Sequence, residues 1–287
     1  MRLLLLFLVL LVVGCSRVDT LRLAHANNGT SVEWPAGVSS LQLSLRLSTD
    51  GRPWLPVSVD GSAPVPFLLH ASSGAIAITG ARAAGFGPVA AGRLVLSDGL
   101  LPGIPGGLLV KQRRLAIDGL VLGDQSLLLV DSADWPHGQP RRGAAGVFGY
   151  DLLRRFIVEF DLGGGRLVLH RPTGQGMDPA AESRRLALLG RVPYFEAWLE
   201  AERGPGRWLR LQFEPGEPVG VCLDQRPRGG FVVFSGQQIR LADAPCPASA
   251  GHPAGLPRDG VLGAAAMDGL VVVVDYEGGW IGFRPRE

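Results

Sequence analysis

Residue types able to do chemistry are sparse in this 287-residue chain. Its five histidines (His25, His70, His137, His170 and His252) are spread singly. None forms a paired-His metal motif, no Gly-x-Ser-x-Gly elbow is present, and no glycine-rich phosphate loop occurs. Neither a zinc hydrolase nor a Ser/His/Asp hydrolase is indicated, and no metal or cofactor is expected. Asp98, Asp118, Asp161 and Asp275 all sit beside glycines in turn-like contexts, where Asp bonds its own backbone. Of the three cysteines, Cys222 and Cys246 fit no metal-ligand spacing. In an oxidising compartment they read as a disulfide, against the alternative of two separate buried thiols. The net charge is +2 and the basic residues are scattered and nearly all Arg, with no basic stripe carrying aromatics, so no nucleic-acid partner is expected.

The elements that must position any site repeat. Gly146-Val147-Phe148-Gly149 leads to Asp161 and then to Arg171-Pro172, and Gly260-Val261-Leu262-Gly263 leads to Asp275 and then to Arg284-Pro285. From Gly to Asp is 15 positions in each copy. Such self-similarity predicts two lobes built from one duplicated unit. Leu41, Leu43, Leu45 and Leu47 alternate with polar residues, which predicts a strand with one buried face. Further strands are expected at Leu55–Val59, Val65–Leu69, Arg93–Leu96, Leu108–Leu115, Leu120–Leu122 and Gln125–Val130. The 41 glycines and 22 prolines suit many short strands and tight turns. Helices are expected only at Thr79–Gly85 and Tyr150–Phe156, the latter with Asp151 near its N-terminus as a capping carboxylate. The fold class is mainly β, with two similar lobes, a cleft between them and few short helices.

Residues 1–14 combine a short positive start with the apolar run Leu3–Val13, too short to span a membrane, which takes about 20 residues, but suited to an export signal. Val12-Val13-Gly14-Cys15 resembles a bacterial lipobox. The resemblance implies acylation of Cys15, and Ser16 after it implies an outer-membrane lipoprotein facing the periplasm. Residues 15–37 are polar and aperiodic and are expected to be a tether. An N-terminal lobe at 38–175 and a C-terminal lobe at 186–287 follow, joined through the charged stretch Met177–Arg185.

Val65–Leu69 delivers His70-Ala71-Ser72-Ser73-Gly74, with Gly146-Val147-Phe148-Gly149 downstream. In the second lobe Leu209–Phe213 delivers Glu214-Pro215-Gly216, with Gly260-Val261-Leu262-Gly263 downstream. This pattern resembles the pepsin and retropepsin superfamily of aspartic peptidases, in which each lobe brings an Asp-Thr/Ser-Gly loop to a shared cleft. The resemblance places His70 and Glu214 at the two catalytic Asp positions, with Ala71, Ser72, Ser73, Pro215 and Gly216 in the cleft loops. Residues 98–114 fall where that family carries its flap, and the apolar Leu100–Gly107 suits a lid or an ordinary surface hairpin. The substitutions remove the proton-sharing carboxylate pair, in which like charges held together drive the two pKa values apart. A His beside a Glu favours the other's charged form instead. Glu is also one methylene too long, and a misplacement on the order of 1 Å costs roughly 100-fold in rate. The expected function is therefore a non-catalytic homologue binding a peptide or protein in its cleft. The alternatives are a peptidase with an atypical His70/Glu214 acid–base site, and a structural envelope lipoprotein. A blander local reading makes His70 a half-buried histidine satisfied by carbonyls and Glu214 a solvated turn residue.

Overall fold

The computed structural model describes residue 18 and residues 21–80, 93–97, 101, 104–131, 143–172, 182–225, 229–246 and 258–287. The signal-like segment, Cys15 and most of Thr79–Gly85 lie outside the described residues. In the first lobe the strands are β1 (Val32–Glu33), β2 (Ser40–Ser44), β3 (Arg46–Leu47), β4 (Pro53–Val59), β5 (Val65–His70), β6 (Ile76–Thr79), β7 (Arg93–Leu96), β8 (Gly106–Ile117), β9 (Leu120–Val130), β10 (Gly146–Gly149), β11 (Ile157–Asp161) and β12 (Arg166–His170). The second holds β13 (Glu182–Leu189), β14 (Val192–Ala201), β15 (Arg207–Phe213), β16 (Val221–Leu223), β17 (Gly230–Phe234), β18 (Gln237–Arg240), β19 (Gly260–Leu262), β20 (Leu270–Asp275) and β21 (Trp280–Pro285). The fold is mainly β and two-lobed.

Strict alternation along β4 sends Leu55, Val57 and Val59 to one face. There they meet Phe67, Leu69, Ile76, Ile78 and Phe148 inside a closed barrel whose strands run β4-β5-β10-β6-β9-β8. Side chains of period two can fill such an interior without voids. The second lobe repeats the central part in register. Gly146 pairs with Phe67 on parallel β5 and with Ile78 on antiparallel β6. Gly260 pairs likewise with Leu211 on parallel β15 and with Leu223 on antiparallel β16. The β17–β18 hairpin, docked on β14, stands where β8 and β9 stand in the first lobe. A counterpart of β7 is missing among the described residues, in keeping with the shorter second copy.

Each lobe ends in a hairpin, β11–β12 and β20–β21, and the two hairpins pair through β11 and β20. Their turns are built alike. Asp161 Oδ1 accepts the Gly164 amide at 2.8 Å, and Asp275 Oδ1 accepts the Gly278 amide at 2.7 Å. A one-turn helix, Tyr150–Leu153, follows β10, and a 3₁₀ turn, Ala264–Met267, follows β19.

Four expectations need correction. The alternating run Leu41–Leu47 is two strands in two sheets, because Leu45 leaves the β2 ladder to bond Gly165. Glu182–Arg185 is strand rather than linker: these polar residues pair with β21 while one face stays in solvent, and Arg185 stacks 4.1 Å over Trp280. From Leu21 onward the supposed tether is folded onto the first lobe, with Leu23 and Asn27 buried. Of the stretch read as a lid or a surface hairpin, Leu101 and Ile104 are buried in an apolar cluster on the outer face of the barrel with Leu68, Val95 and Val147.

Candidate functional site

β5 and β15 each run through a lobe and end at the lobe interface, so His70 and Glu214, at their ends, are brought together from opposite lobes. The supports are equivalent. Gly149 of β10 pairs with His70 of β5, and a Cβ at Gly149 would come 1.6 Å from the His70 carbonyl oxygen. At Gly263 a Cβ would come 2.5 Å from the Val219 oxygen and 2.6 Å from the Glu217 oxygen. Both loops are seated on backbone that only glycine allows so close.

The extra methylene of Glu214 carries its carboxylate across the interface into the opposite loop. Oε1 accepts the Ala71 amide at 2.8 Å and the Gly216 amide at 3.1 Å. Oε2 accepts the Ser72 amide at 3.0 Å and the Ser72 hydroxyl at 2.5 Å, and lies 2.9 Å from His70 Nδ1. The Glu214 side chain is 0 % exposed. Burial pushes its pKa up. The charge and hydrogen bond of His70, with the hydroxyl and amide of Ser72, outweigh this and hold the carboxyl below its ordinary 4.5. Burial pushes His70 down, but Glu214, with Glu217 behind it, raises the imidazole above 6.5. The two therefore form a charged pair. Glu214 is not a solvated turn residue, and His70 Nδ1 faces a carboxylate rather than a carbonyl.

This pair is braced by residues that the sequence did not mark. Glu217, also buried, places Oε1 3.9 Å from His70 Nε2 and Oε2 3.3 Å from Arg52. Arg52 donates to the Gly216 carbonyl at 2.9 Å and meets Asp50 at 3.2 Å, so a turn of the first lobe clamps the loop of the second. Glu217 lies three residues beyond Glu214 in a loop whose polarity looks like solvent exposure. Arg52 precedes a strand with no distinguishing spacing. Only the tertiary contact shows their roles.

The geometry limits the chemistry. Both Glu214 oxygens are filled by fixed internal donors, leaving no lone pair aimed at a water. Ser72 and Glu214 crowd the same ring nitrogen of His70: Ser72 Oγ is 3.0 Å from Nδ1, as Glu214 is 2.9 Å. A Ser/His/acid triad needs them on opposite nitrogens. Ala71, Ser72, Ser73, Pro215 and Gly216 are all buried, so these loops meet each other rather than an open cleft. Cys222 and Cys246 are bonded, with Cα atoms 5.0 Å apart, which pins the segment after β18 to β16. No cluster of three or more His, Cys, Asp or Glu suited to a metal occurs among the described residues. No described helix is long and apolar enough to cross a membrane.

No protein-family model matches the chain. No curated protein matches it by sequence. Among solved structures, the crystal structure of basic 7S globulin from soybean superposes with a TM-score of 0.53 at 13 % identity, over 88 % of this chain and 95 % of that one. At that identity the likeness speaks for the fold alone, two-lobed and all-β.

Proposed function

We propose that this protein is a non-catalytic relative of the aspartic peptidases, held at the bacterial envelope through an acylated Cys15, that binds a peptide or protein segment beside its sealed interlobe pair. The observation that carries this reading is the saturation of Glu214. A peptidase of this architecture needs one ionised and one protonated carboxyl group in contact with a water, and here the corresponding side chain is buried and spent on four internal donors and an imidazole. Its role is to lock the lobes.

Capacity to hold a ligand lies next to the lock. A pocket of about 310 Å³ is lined by Leu47, Trp54, Pro66, Leu68, Ala144 and, at its polar edge, Arg52. Apolar walls suit an apolar side chain of a bound segment, and the polar edge, where Asp50 already pairs with Arg52 beside Ser48 and Thr49, suits its backbone. Leu47 is 52 % exposed at this rim, and Leu94 and Leu96 on the outer strand β7 are 73 % and 50 % exposed. Membrane attachment and a periplasm-facing position rest on the lipobox pattern around Cys15.

The test is a pair of measurements on the mature protein. Incubation with a degenerate peptide library from pH 3 to 8 yields no cleavage, while the same library enriched on immobilised protein yields binders that Leu68→Asp abolishes. Cleavage by the wild type that Glu214→Gln removes would overturn the reading in favour of an active site.

A further inference from the structure

The segment between the proposed anchor and the first long strand is docked like a ligand. Residues 21–24 form a helical turn that places Leu23, 2 % exposed, in the outer apolar cluster with Leu68, Ala75, Ala77 and Leu128. Asn27, also 2 % exposed, then enters a polar slot. Its carboxamide pairs with both backbone groups of Ser126: Oδ1 accepts the amide at 2.6 Å, and Nδ2 donates to the carbonyl at 3.1 Å. The same Nδ2 donates to Asp151 Oδ2 at 2.6 Å, and Arg155 donates to the Asn27 carbonyl at 2.5 Å. Beyond it Thr30 accepts from Gln125 at 2.7 Å, the Gly123 amide donates to the Ser31 carbonyl at 3.1 Å, and β1 adds to β9 in antiparallel register. An apolar anchor, one carboxamide read at both ends, and strand addition together make a recurring mode of peptide recognition.

The slot is built from residues that belong to the barrel without the segment. Ser126 lies in β9, and Asp151 follows the Gly149 support of His70. The sequence suggests Asp151 as the cap of a helix over Tyr150–Phe156, yet the helix that forms, Tyr150–Leu153, has no side-chain cap bond. The carboxylate is 1 % exposed and turned to Asn27, with Arg154 Nε 4.0 Å from Oδ1 and Arg155 and Arg191 also near. Oδ1 makes no hydrogen bond. A buried acid that leaves one oxygen without a hydrogen bond, with Arg154 only at the outer limit of an ion pair, and spends the other on a carboxamide from outside the barrel, is costly as a structural device. As a recognition element it selects a donor.

We propose that the Ser126/Asp151/Arg155 slot with its adjoining apolar patch is a peptide-binding site for an extended, asparagine-bearing segment, and that residues 21–33 occupy it in cis. The patch shares Leu68, Ala144 and Trp54 with the pocket beside Arg52, so release of the segment lengthens one continuous binding surface. An occupant that also donated to Asp151 Oδ1 would compete favourably with the protein's own Asn27.

Two measurements on the full-length mature protein test this. In native-state hydrogen exchange of the wild type, amides of residues 21–33 and of Gly123 and Ser126 exchange together, at least tenfold faster than those of β14 and β15. In Asn27→Ala this group speeds up by at least a further tenfold, and β14 and β15 do not change. A fluorescein-labelled synthetic peptide of residues 18–33 then binds Asn27→Ala saturably and the wild type at least tenfold more weakly, and the peptide carrying the same Ala binds neither. Exchange of the segment only by global unfolding, in the wild type or the variant, would show it to be an integral part of the core and overturn the proposal. So would a released segment whose vacated site fails to bind the labelled peptide.

Discussion

Replacing Glu214 with Gln removes the charge at nearly constant volume, and the structure shows what that costs. A glutamine carbonyl can keep the amides of Ala71 and Gly216 now held by Oε1. Its NH₂ then faces the Ser72 amide, the Ser72 hydroxyl and His70 Nδ1, all of which donate to Oε2 in the wild type. The hydroxyl can rotate and a neutral imidazole can accept, but the Ser72 amide is fixed. Breaking a buried ion pair from one side costs about 3–5 kcal/mol, and the partial rescue by rotation and neutralisation puts this variant at the low end, about 3 kcal/mol. For a chain of this size that corresponds to a Tm lower by roughly 6–12 °C.

The loss carries a pH signature. The raised pKa of His70 gives stability fully present below 6.5 and lost as pH climbs through the folded-state value. The lowered pKa of Glu214 gives stability present above 4.5 and lost as pH falls through its folded-state value. Both contributions are complete between about 4.5 and 6.5, with Glu217 adding to the first and Arg52 opposing it. Urea denaturation of wild type and variant at pH 5.5 and pH 9 measures the difference. The gap should be largest at pH 5.5 and smaller at pH 9. A variant within about 1 kcal/mol of wild type at pH 5.5, or a gap independent of pH, would refute the account of the interlobe lock.

Three further outcomes follow from the same structure. Gly149→Ala drives a Cβ into the His70 carbonyl, and urea titration should show a loss of about 3 kcal/mol or more or no folded protein, whereas Gly61→Ala, which has open space but positive φ, should cost less. Replacing both Cys222 and Cys246 with Ser opens a loop of 24 positions and should cost about 3 kcal/mol, checked by chemical denaturation against the oxidised wild type. Cys15→Ser should leave the protein unprocessed or free of membranes on fractionation, with the acyl mass absent from the intact-protein spectrum.

The central fold was legible because duplication and alternation are written in residue types. The two Gly-to-Asp intervals, the apolar runs entering His70 and Glu214, and the period-two pattern of β4 all depend on local sequence. The docking of residues 21–33 was not legible, since a single Asn buried by tertiary contacts looks like any other Asn in a polar stretch. Glu182–Arg185 failed for a related reason: a strand with one solvated face, and with Phe283 and Phe234 already supplying the apolar surface under Glu182 and Arg184 on the other, needs little apolar alternation of its own. At the site, the positions of His70 and Glu214 followed from the strands that carry them. The filling of both carboxylate oxygens did not, because it depends on where amides of the opposite lobe point.

The pairing of the two closing hairpins also bears on how the chain arose. Positions 159, 161 and 170 correspond to 273, 275 and 284, each pair 114 apart, and Glu159 pairs across β11 and β20 with Val273, its own counterpart. The pseudo-twofold axis therefore passes through that pair. In a single-copy ancestor associating with itself, one residue would have met its twin on the axis, and a Glu there would have faced another Glu. Fusion of two copies would free the positions to diverge. The surviving carboxylate is now flanked by His170 at 3.1 Å and Arg284 at 2.9 Å, which are themselves counterparts. The carboxylate at the axis is thus held by one residue of each lobe, His170 from its own and Arg284 from the other.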